Sequence, residues 1–293
     1  MFKSVNVRLR NNRLQTKGKI KAILRIWIYI VLIIGAVSFI LPLAWMVSTS
    51  LKVDRQIFVF PPVWLPNPVR WMNYVDAINY IPFLTYTLNT LYVSTLSVLG
   101  ALIFSSLAAY GFSRIEWPGR NLLFILVLGT MMIPLPVYVI PLYVVFRNLH
   151  WTGTFKPLYL RFWFGYPLFI FLLRQFFMSI PKELSDAAKI DGCSELGIYW
   201  RVILPLSKPA LAVVALFAFL YSWQDFLTPL IFITKQKMFT LSLGLQQYQA
   251  QHGGTEWNLL MAASTLMLLP IVVIFFLAQK TFIQGISLTG LKS

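Results

Sequence analysis

The sequence predicts an all-α, polytopic membrane protein with about six transmembrane helices, and three observations lead to this fold class. Of the 293 residues, 58% are hydrophobic and only 12% are charged, whereas soluble domains have about 45–50% apolar and about 25% charged residues. The apolar residues form continuous runs of about 20 residues, the length of a helix that crosses the hydrocarbon core. These runs do not alternate between apolar and polar residues, as barrel strands would.

Six apolar runs are long enough to be membrane-spanning helices. They cover residues 26–47, 86–112, 122–146, 158–177, 209–233 and 259–278. The third run contains three prolines that are expected to kink it: Pro134, Pro136 and Pro141. The fourth contains Arg161 and Arg174, and the fifth contains Asp225. The first run is longer than the apolar core of a signal peptide, so we predict a retained span.

The basic residues predict the orientation of the chain. The N-terminal tail carries many Lys and Arg residues and no acidic residue. With six spans, this tail shares one side with the basic connections after the second and fourth runs, and Lys- and Arg-rich segments stay in the cytoplasm. We therefore predict cytoplasmic N- and C-termini in a multi-pass cell (inner) membrane protein. The predicted division is a basic cytoplasmic tail, residues 1–25, and a transmembrane domain, residues 26–293.

Several function classes are not expected from this sequence. The net charge is +16, but the basic residues lie beside the apolar runs, where they set topology, and no nucleic-acid partner is predicted. Cys193 is the single cysteine and cannot form an internal disulfide. His150 and His252 lie in separate predicted loops without a cluster of metal ligands, so no metal site is predicted. No nucleophile–base set indicates catalysis, and no enzyme activity is predicted.

The connection between the fourth and fifth runs, residues 180–206, is predicted to form a cytoplasmic helix-turn-helix. Pro181 suits the first helical turn because its missing N–H would be unpaired there. Gly192 fits the left-handed conformation that ends many helices. Ser194 can cap a second helix, and Glu195 lies favourably near the positive end of its dipole.

The same connection allows two interpretations that its residues alone do not separate. Four residues of its first helix are predicted to share a partly apolar face: Leu184, Ala187, Ala188 and Asp191. The second helix is expected to stop at Pro205 and Pro209. The segment is then either an amphipathic linker on the membrane surface or a compact knob on which a partner protein docks.

A specific spacing favours the second interpretation. The segment resembles the cytoplasmic EAA motif of ABC importer permeases, which reads Glu-Ala-Ala, three residues, Gly, nine residues, Ile-x-Leu-Pro. The residues at these positions here are Asp186, Ala187, Ala188, Gly192, Val202, Leu204 and Pro205. Asp186 replaces Glu with another acidic residue, and Val202 replaces Ile with another apolar residue. The resemblance implies an ATPase-coupling loop whose site residues are Asp186, Ala187, Ala188, Asp191, Gly192, Leu204 and Pro205.

The resemblance covers almost the whole chain and is greatest to permeases of carbohydrate importers of the maltose and glycerol-phosphate type. The segments that carry it, besides the loop, are 42–52, 89–91, 108–114, 132–134, 140–143, 219–230 and 282–285. The resemblance implies a non-catalytic permease subunit that forms the path of a sugar or sugar derivative. Outer loops of such permeases, here 234–257, meet an extracytoplasmic solute-binding protein.

The same resemblance implies the other partners. They are a second homologous permease, two P-loop ATPase subunits that use ATP and Mg, and the lipid bilayer. This chain lacks the G-x-x-x-x-G-K-[ST] phosphate loop, as expected if separate ATPase subunits bind the nucleotide. No cofactor is predicted to bind to this chain. The loop would act as a coupling helix, so that closure of the ATPases rocks the helices between inward-open and outward-open states.

The candidates for the translocation path are Asn89, Trp223, Gln224 and Asp225. An ionisable residue at membrane depth is a functional candidate by default. The simpler expectation for Asp225 is a carboxylate at the water interface that is solvated. The alternative function is a secondary transporter driven by an ion gradient, which would need charged or unwound sites at mid-membrane, and Asp225 is the main such feature.

Overall fold

The structure is a computed structural model that describes residues 2–249 and 254–290, with side chains for 24–134, 136–249 and 254–279. It is helical, and these described ranges contain no strand. The all-α prediction is therefore confirmed. His252 and the last three residues lie outside the described ranges, as do the side chains of the basic N-terminal tail and of segment 282–285.

Fifteen α-helices occur in the described ranges and are numbered here in chain order. They are α1 (Phe2–Ser50), α2 (Met72–Tyr80), α3 (Phe83–Gly100), α4 (Ser106–Ser113), α5 (Arg120–Thr130), α6 (Leu135–Asn148), α7 (Lys156–Trp163), α8 (Pro167–Ser179), α9 (Lys182–Ile190), α10 (Glu195–Ile198), α11 (Leu204–Leu206), α12 (Lys208–Trp223), α13 (Leu227–Phe232), α14 (Leu241–Gly244) and α15 (Trp257–Gly290). Two π-helical segments join α3 to α4 and α10 to α11, namely Ala101–Ser105 and Tyr199–Ile203.

Four helical stretches are long and apolar enough to cross a membrane. They are Leu24–Ser50, Phe83–Ser113, Lys156–Ser179 and Trp257–Gln279. They correspond to the predicted first, second, fourth and sixth spans. A fifth candidate is a bent pair, Glu195–Leu206 followed by Lys208–Trp223, whose axes differ by 81°. The described part of the chain thus contains four or five candidate spans, and the count of six stays a prediction.

The predicted third and fifth spans are broken rather than continuous. The third consists of α5 and α6, which are separated at 131–134. Pro134 has an extended backbone there, with φ −70° and ψ 145°, and has no N–H with which to continue a helix. The fifth consists of α12 and α13, which are separated at 224–226. Broken helices at membrane depth occur where the freed backbone is buried in protein or lines a cavity.

The second span, formed by α3 and α4, lies at the centre of the helix packing. Helix α3 packs against α7 and α12, and α4 packs against α8, while α15 packs against α1, α2 and α12. Gly100 permits the close approach of α7, because a Cβ at this position would lie 2.0 Å from the Trp163 side chain. A hydrogen bond from Ser97 to Ser222, 3.2 Å long, joins α3 to α12 inside the core.

Candidate functional site

The turn of the predicted coupling loop is built by Gly192. Its φ of +81° is left-handed, which glycine adopts without the Cβ clash of other residues. The Cys193 N–H donates to the Ala188 carbonyl at 2.9 Å, and the Gly192 N–H donates to the Lys189 carbonyl at 3.0 Å. These two bonds form a Schellman motif that ends α9. The predicted left-handed cap is therefore confirmed.

The second helix of the loop begins at a side-chain cap. The Ser194 hydroxyl accepts the N–H of Gly197 at 3.2 Å, as its predicted capping role requires. The helix then continues from Glu195 to Leu206 through its π-helical segment.

The end of that helix corrects one expectation. Pro205 does not stop the helix at its own position but lies one residue before its end, directly after the π-helical segment. The chain bends at Ser207, whose N–H donates to the carbonyls of Ile203 and Leu204. Pro209 does not end this helix either, because it lies in the first turn of α12.

The loop has one buried and one exposed face. Its buried residues are Ile180, Ser185, Ala188, Ile198, Tyr199 and Ile203, and all but Ser185 belong to a core cluster with side chains of α4, α8 and α12. Of the four residues predicted to share a face of the first helix, Leu184, Ala187 and Asp191 are exposed, whereas Ala188 is buried together with Ser185. Asp186 and Gly192 are exposed as well, and Leu204 is half-buried next to the exposed Pro205.

Large apolar side chains are exposed on the outer face of the loop. The exposed fractions are 87% for Ile190, 64% for Leu196 and 61% for Trp200. Sequence reasoning missed these three residues. They could have been noticed because they are large apolar residues in a connection rich in charged residues. Apolar residues that have no core partner commonly contact another protein.

Arginines near the C-terminal ends of α4 and α8 cap each other's helices. The guanidinium of Arg114, just after α4, donates to the carbonyls of Phe177 and Ile180, at 2.5 and 2.6 Å. Arg174, on α8, donates to the carbonyl of Phe112 at 3.1 Å. Positive groups at helix C-termini satisfy unpaired carbonyls and oppose the helix dipole. These bonds join the ends of α4 and α8 at the base of the loop.

A cavity of about 680 Å³ lies where the broken helices meet. It is lined by residues from both sides of the α5–α6 break, from α7 and α8, and from α12 and α13. The polar side chains in its lining are Thr130, Tyr138, Arg161, Tyr166, Tyr221 and Thr228. Three tyrosines, two threonines and one arginine give a mixed surface of aromatic faces and hydrogen-bonding groups, which is typical of a site for a polar organic molecule.

Asp225 supports this cavity through an ion pair. The Arg161 guanidinium donates to Asp225 Oδ2 at 2.9 Å and to the Thr228 hydroxyl at 3.2 Å. Asp225 Oδ1 also accepts the Thr228 N–H at 3.1 Å and so caps α13. The expectation of a simply solvated carboxylate is wrong, because the Asp225 side chain is only 13% exposed and has a charged partner.

The other predicted path residues lie outside the cavity lining. Trp223 is buried, stacks on Phe219 and donates its indole N–H to the Met267 carbonyl at 3.1 Å, which joins α12 to α15. Asn89 donates to the carbonyls of Lys237 and Phe239, at 2.8 and 3.0 Å. Gln224 is exposed at the α12–α13 break. Sequence reasoning missed the cavity tyrosines, which carry no distinguishing local pattern.

Broken apolar helices around a polar cavity, with a folded loop beside them, define a membrane permease. The family model for the binding-protein-dependent transport system inner membrane component matches residues 101–288. The chain belongs to this family and is a non-catalytic permease subunit of an ATP-driven ABC importer, found in the inner membrane. The ion-gradient alternative has no support.

Curated relatives agree with this family. The chain is similar to the arabinooligosaccharides transport system permease protein AraQ of Bacillus subtilis, with 34% identity over 228 residues, 78% of this chain and 80% of AraQ. It is also similar to the sn-glycerol-3-phosphate transport system permease protein UgpE of Yersinia pestis, with 35% identity over 276 residues, 90% of this chain and 96% of UgpE. The resemblance to carbohydrate and glycerol-phosphate permeases is thereby confirmed.

A solved structure supports the fold. A bacterial ABC transporter involved in the import of the acidic polysaccharide alginate contains a chain that matches 89% of this protein and 96% of its own length. The TM-score is 0.78 and the sequence identity is 23%. The helical arrangement described above is therefore that of an ABC importer permease.

Proposed function

We propose that the chain forms part of the translocation path for an uncharged carbohydrate, an oligosaccharide or sugar derivative, and that the 680 Å³ cavity is the section of the path that this subunit lines. Tyr138, Tyr166 and Tyr221 offer aromatic faces on which sugar rings stack, and Thr130 and Thr228 offer hydroxyls for hydrogen bonds. The relative AraQ, named for arabinooligosaccharides, supports this substrate class.

One observation favours a neutral sugar over a phosphate ester. Arg161 is the single charged residue in the cavity lining of the described chain, and Asp225 neutralises it at 2.9 Å. A phosphate group binds where basic side chains are free to give charge-assisted hydrogen bonds. This cavity has no uncompensated charge for an anion, so we favour an arabinooligosaccharide-like cargo over sn-glycerol 3-phosphate.

The cytoplasmic loop is proposed to bind the ATPase. Its exposed face combines Asp186 and Ala187 of the motif with the apolar side chains of Ile190, Leu196 and Trp200. Exposed apolar groups rimmed by charges are typical of protein interfaces. The partners in this proposal are two P-loop ATPases that use ATP and Mg, a second homologous permease and an extracytoplasmic solute-binding protein.

The proposal also includes the predicted orientation and division of the chain. Both termini lie in the cytoplasm, the tail of residues 1–25 contacts anionic lipid, and residues 26–293 form the permease domain. In this orientation, the loop of residues 180–206 and the basic ends of α4 and α8 share the cytoplasmic side.

Uptake by the reconstituted complex tests the substrate. The chain is purified with the proposed partner permease, ATPase and binding protein, placed in liposomes, and supplied with ATP and Mg. Labelled arabinotriose and sn-glycerol 3-phosphate are offered separately. ATP-dependent uptake of the trisaccharide alone is the expected result, whereas preference for the phosphate ester would contradict the neutral-sugar proposal.

A further inference from the structure

The coupling loop is covalently continuous with the fourth and fifth spans. It is also connected to the second span by hydrogen bonds. Tyr110, on α4, donates its hydroxyl to Glu195 Oε2 at 2.6 Å and lies 3.2 Å from the Glu195 carbonyl oxygen. One turn away, the hydroxyls of Ser106 and Tyr199 are 2.6 Å apart. Tyr110 is 5% exposed and Tyr199 is 2% exposed, so both phenol rings are buried, whereas the Glu195 side chain is 45% exposed.

These bonds lie where two π-helical segments meet. The segment Ala101–Ser105 ends immediately before Ser106, and the segment Tyr199–Ile203 begins at Tyr199. π-Helical turns are rare and are frequently found at functional sites. The Ser106–Tyr199 pair directly connects the ends of two such segments.

The same end of the first π-helical segment also contacts the cavity. The Ser105 hydroxyl accepts the backbone N–H of Tyr166 at 3.2 Å. Tyr166 lines the cavity and follows Gly165, whose φ of +83° forms the turn between α7 and α8. The indole N–H of Trp163 donates to the Leu96 carbonyl at 2.9 Å, so the second span holds this turn at two points.

Glu195 also joins the two helices of the loop. Its Oε1 lies 2.8 Å from the Lys189 ammonium of α9. The hydrogen bonds from Lys189 and Tyr110 lower the pKa of Glu195, so this carboxylate is ionised in the cytoplasm. An ionised acceptor roughly doubles the strength of a hydrogen bond. Both helices are thus connected to Tyr110 through one carboxylate.

We propose that Tyr110 and Glu195 are positioning residues that pass movement of the coupling loop to the second span, and through Ser105 to Tyr166 at the cavity. This relay rests on the proposed coupling role of the loop. Without it, a loop displaced by the ATPase would still move α8 and α12, to which it is covalently joined, but only the Ser106–Tyr199 and Arg114–Ile180 bonds would connect it to the second span. ATP would then be hydrolysed without reopening the cavity.

Removal of one hydroxyl tests the relay. Tyr110→Phe loses the bond to Glu195 but keeps the ring, whose centroid is 5.3 Å from that of Tyr199. Tyr92→Phe is the matched control, because it removes a hydroxyl from a side chain of α3 that is 52% exposed. The readout is the number of arabinotriose molecules imported per ATP hydrolysed by the full complex in liposomes.

The expected result is a drop of about tenfold in sugar imported per ATP for Tyr110→Phe, the factor that corresponds to losing one strong hydrogen bond. Glu195→Ala is expected to give a similar drop, and the double variant to be no worse than either single variant, because both act in one connection. The amount of ATPase that co-purifies stays normal, and Tyr92→Phe behaves like the wild type.

Two results would overturn the relay. One is an unchanged ratio of uptake to hydrolysis in both Tyr110→Phe and Glu195→Ala. The other is a loss of uptake and hydrolysis in equal proportion, which would indicate a purely structural role. If the wild type imports no arabinotriose, the substrate proposal fails. The relay is then tested by measuring how strongly the binding protein stimulates ATP hydrolysis. Tyr110→Phe must reduce this stimulation.

Discussion

The guanidinium of Arg161 donates to the carboxylate of Asp225 at 2.9 Å and thereby joins the fourth predicted span to the break in the fifth. The two residues are separated by 64 positions in the chain. Their side chains are 29% and 13% exposed, so the pair is partly shielded from water. It holds the α12–α13 break beside the cavity and leaves the cavity without net charge.

Breaking this ion pair is expected to impair both stability and transport. Arg161→Ala leaves the Asp225 carboxylate partly buried without its cation, at a cost of about 1–3 kcal/mol in the free energy of unfolding. Arg161→Lys keeps the charge but loses the second bond to Thr228, and a smaller effect is expected. Thermal unfolding of the detergent-solubilised protein and uptake in liposomes measure the two effects.

Charge reversal provides the control for this pair. Asp225→Arg alone places two cations together and should be at least as harmful as Arg161→Ala. The double variant Arg161→Asp, Asp225→Arg restores opposite charges and is expected to recover part of the stability. Equal stability of Arg161→Ala and the wild type would show that the pair contributes nothing.

The turn of the coupling loop requires a left-handed residue at position 192. Gly192 has φ +81°, and a Cβ there would have no atom within 4 Å. The cost of a substitution therefore comes from strain in the left-handed backbone and not from a clash with neighbouring atoms. Gly192→Val is expected to cost about 1 kcal/mol or more and to misdirect α10. Gly192→Asn should be nearly neutral because Asn tolerates this conformation.

The expected phenotype of Gly192→Val is a protein that inserts into the membrane normally but does not couple ATP hydrolysis to uptake. Membrane abundance is measured by immunoblot, and uptake per ATP is measured in liposomes. A Gly192→Val variant that transports as well as Gly192→Asn would contradict the role assigned to this turn.

Gly100 is needed for packing between the second span and α7. A Cβ at this position would lie 2.0 Å from the Trp163 ring, so Gly100→Ala must displace that indole or the helix, which typically costs about 1–3 kcal/mol. Gly129→Ala is the matched control, because a Cβ there has no atom within 4 Å. Thermal unfolding in detergent should show a lower midpoint for Gly100→Ala alone, and equal midpoints would contradict this packing.

Asn89 is expected to restrain the loop that follows α13. Its amide donates to the carbonyls of Lys237 and Phe239, whereas a carboxylate at the same position would repel both oxygens. Asn89→Asp should therefore free this loop and accelerate tryptic cleavage after the exposed Lys235 and Lys237. Cleavage is followed in right-side-out and inverted vesicles.

The vesicle comparison also tests topology. Cleavage in right-side-out vesicles alone is expected, because the predicted orientation exposes this loop on the outer side. Faster cleavage in inverted vesicles would reverse the assignment of the cytoplasmic face.

Local chemistry was readable in the sequence. The left-handed Gly192 and the Ser194 cap depend on residues within four positions, so their conformations follow from residue type and spacing. The apolar runs likewise predicted the long continuous spans, because length and hydropathy alone decide them.

Features that depend on distant segments were not readable. The partner of Asp225 could not be inferred, because it comes from another helix through packing that no local pattern encodes. The cavity tyrosines and the Tyr110–Glu195 bond have the same origin. The buried side of α9, which contains Ser185 and Ala188, could not be inferred either, because helical periodicity gives the spacing of a face but not which face the neighbouring helices cover.

Site-specific photocrosslinking from the coupling loop tests the central claim most directly. A photoreactive residue is placed at Ala187, which is exposed on α9, and in a control at Gln236, which is exposed on the opposite side in the predicted topology. Irradiation of membranes that contain the whole complex should join Ala187 to the P-loop ATPase and should join Gln236 to no ATPase. Absence of an ATPase crosslink from Ala187, or an equal crosslink from Gln236, would contradict the assignment of residues 180–206 as the ATPase-coupling loop.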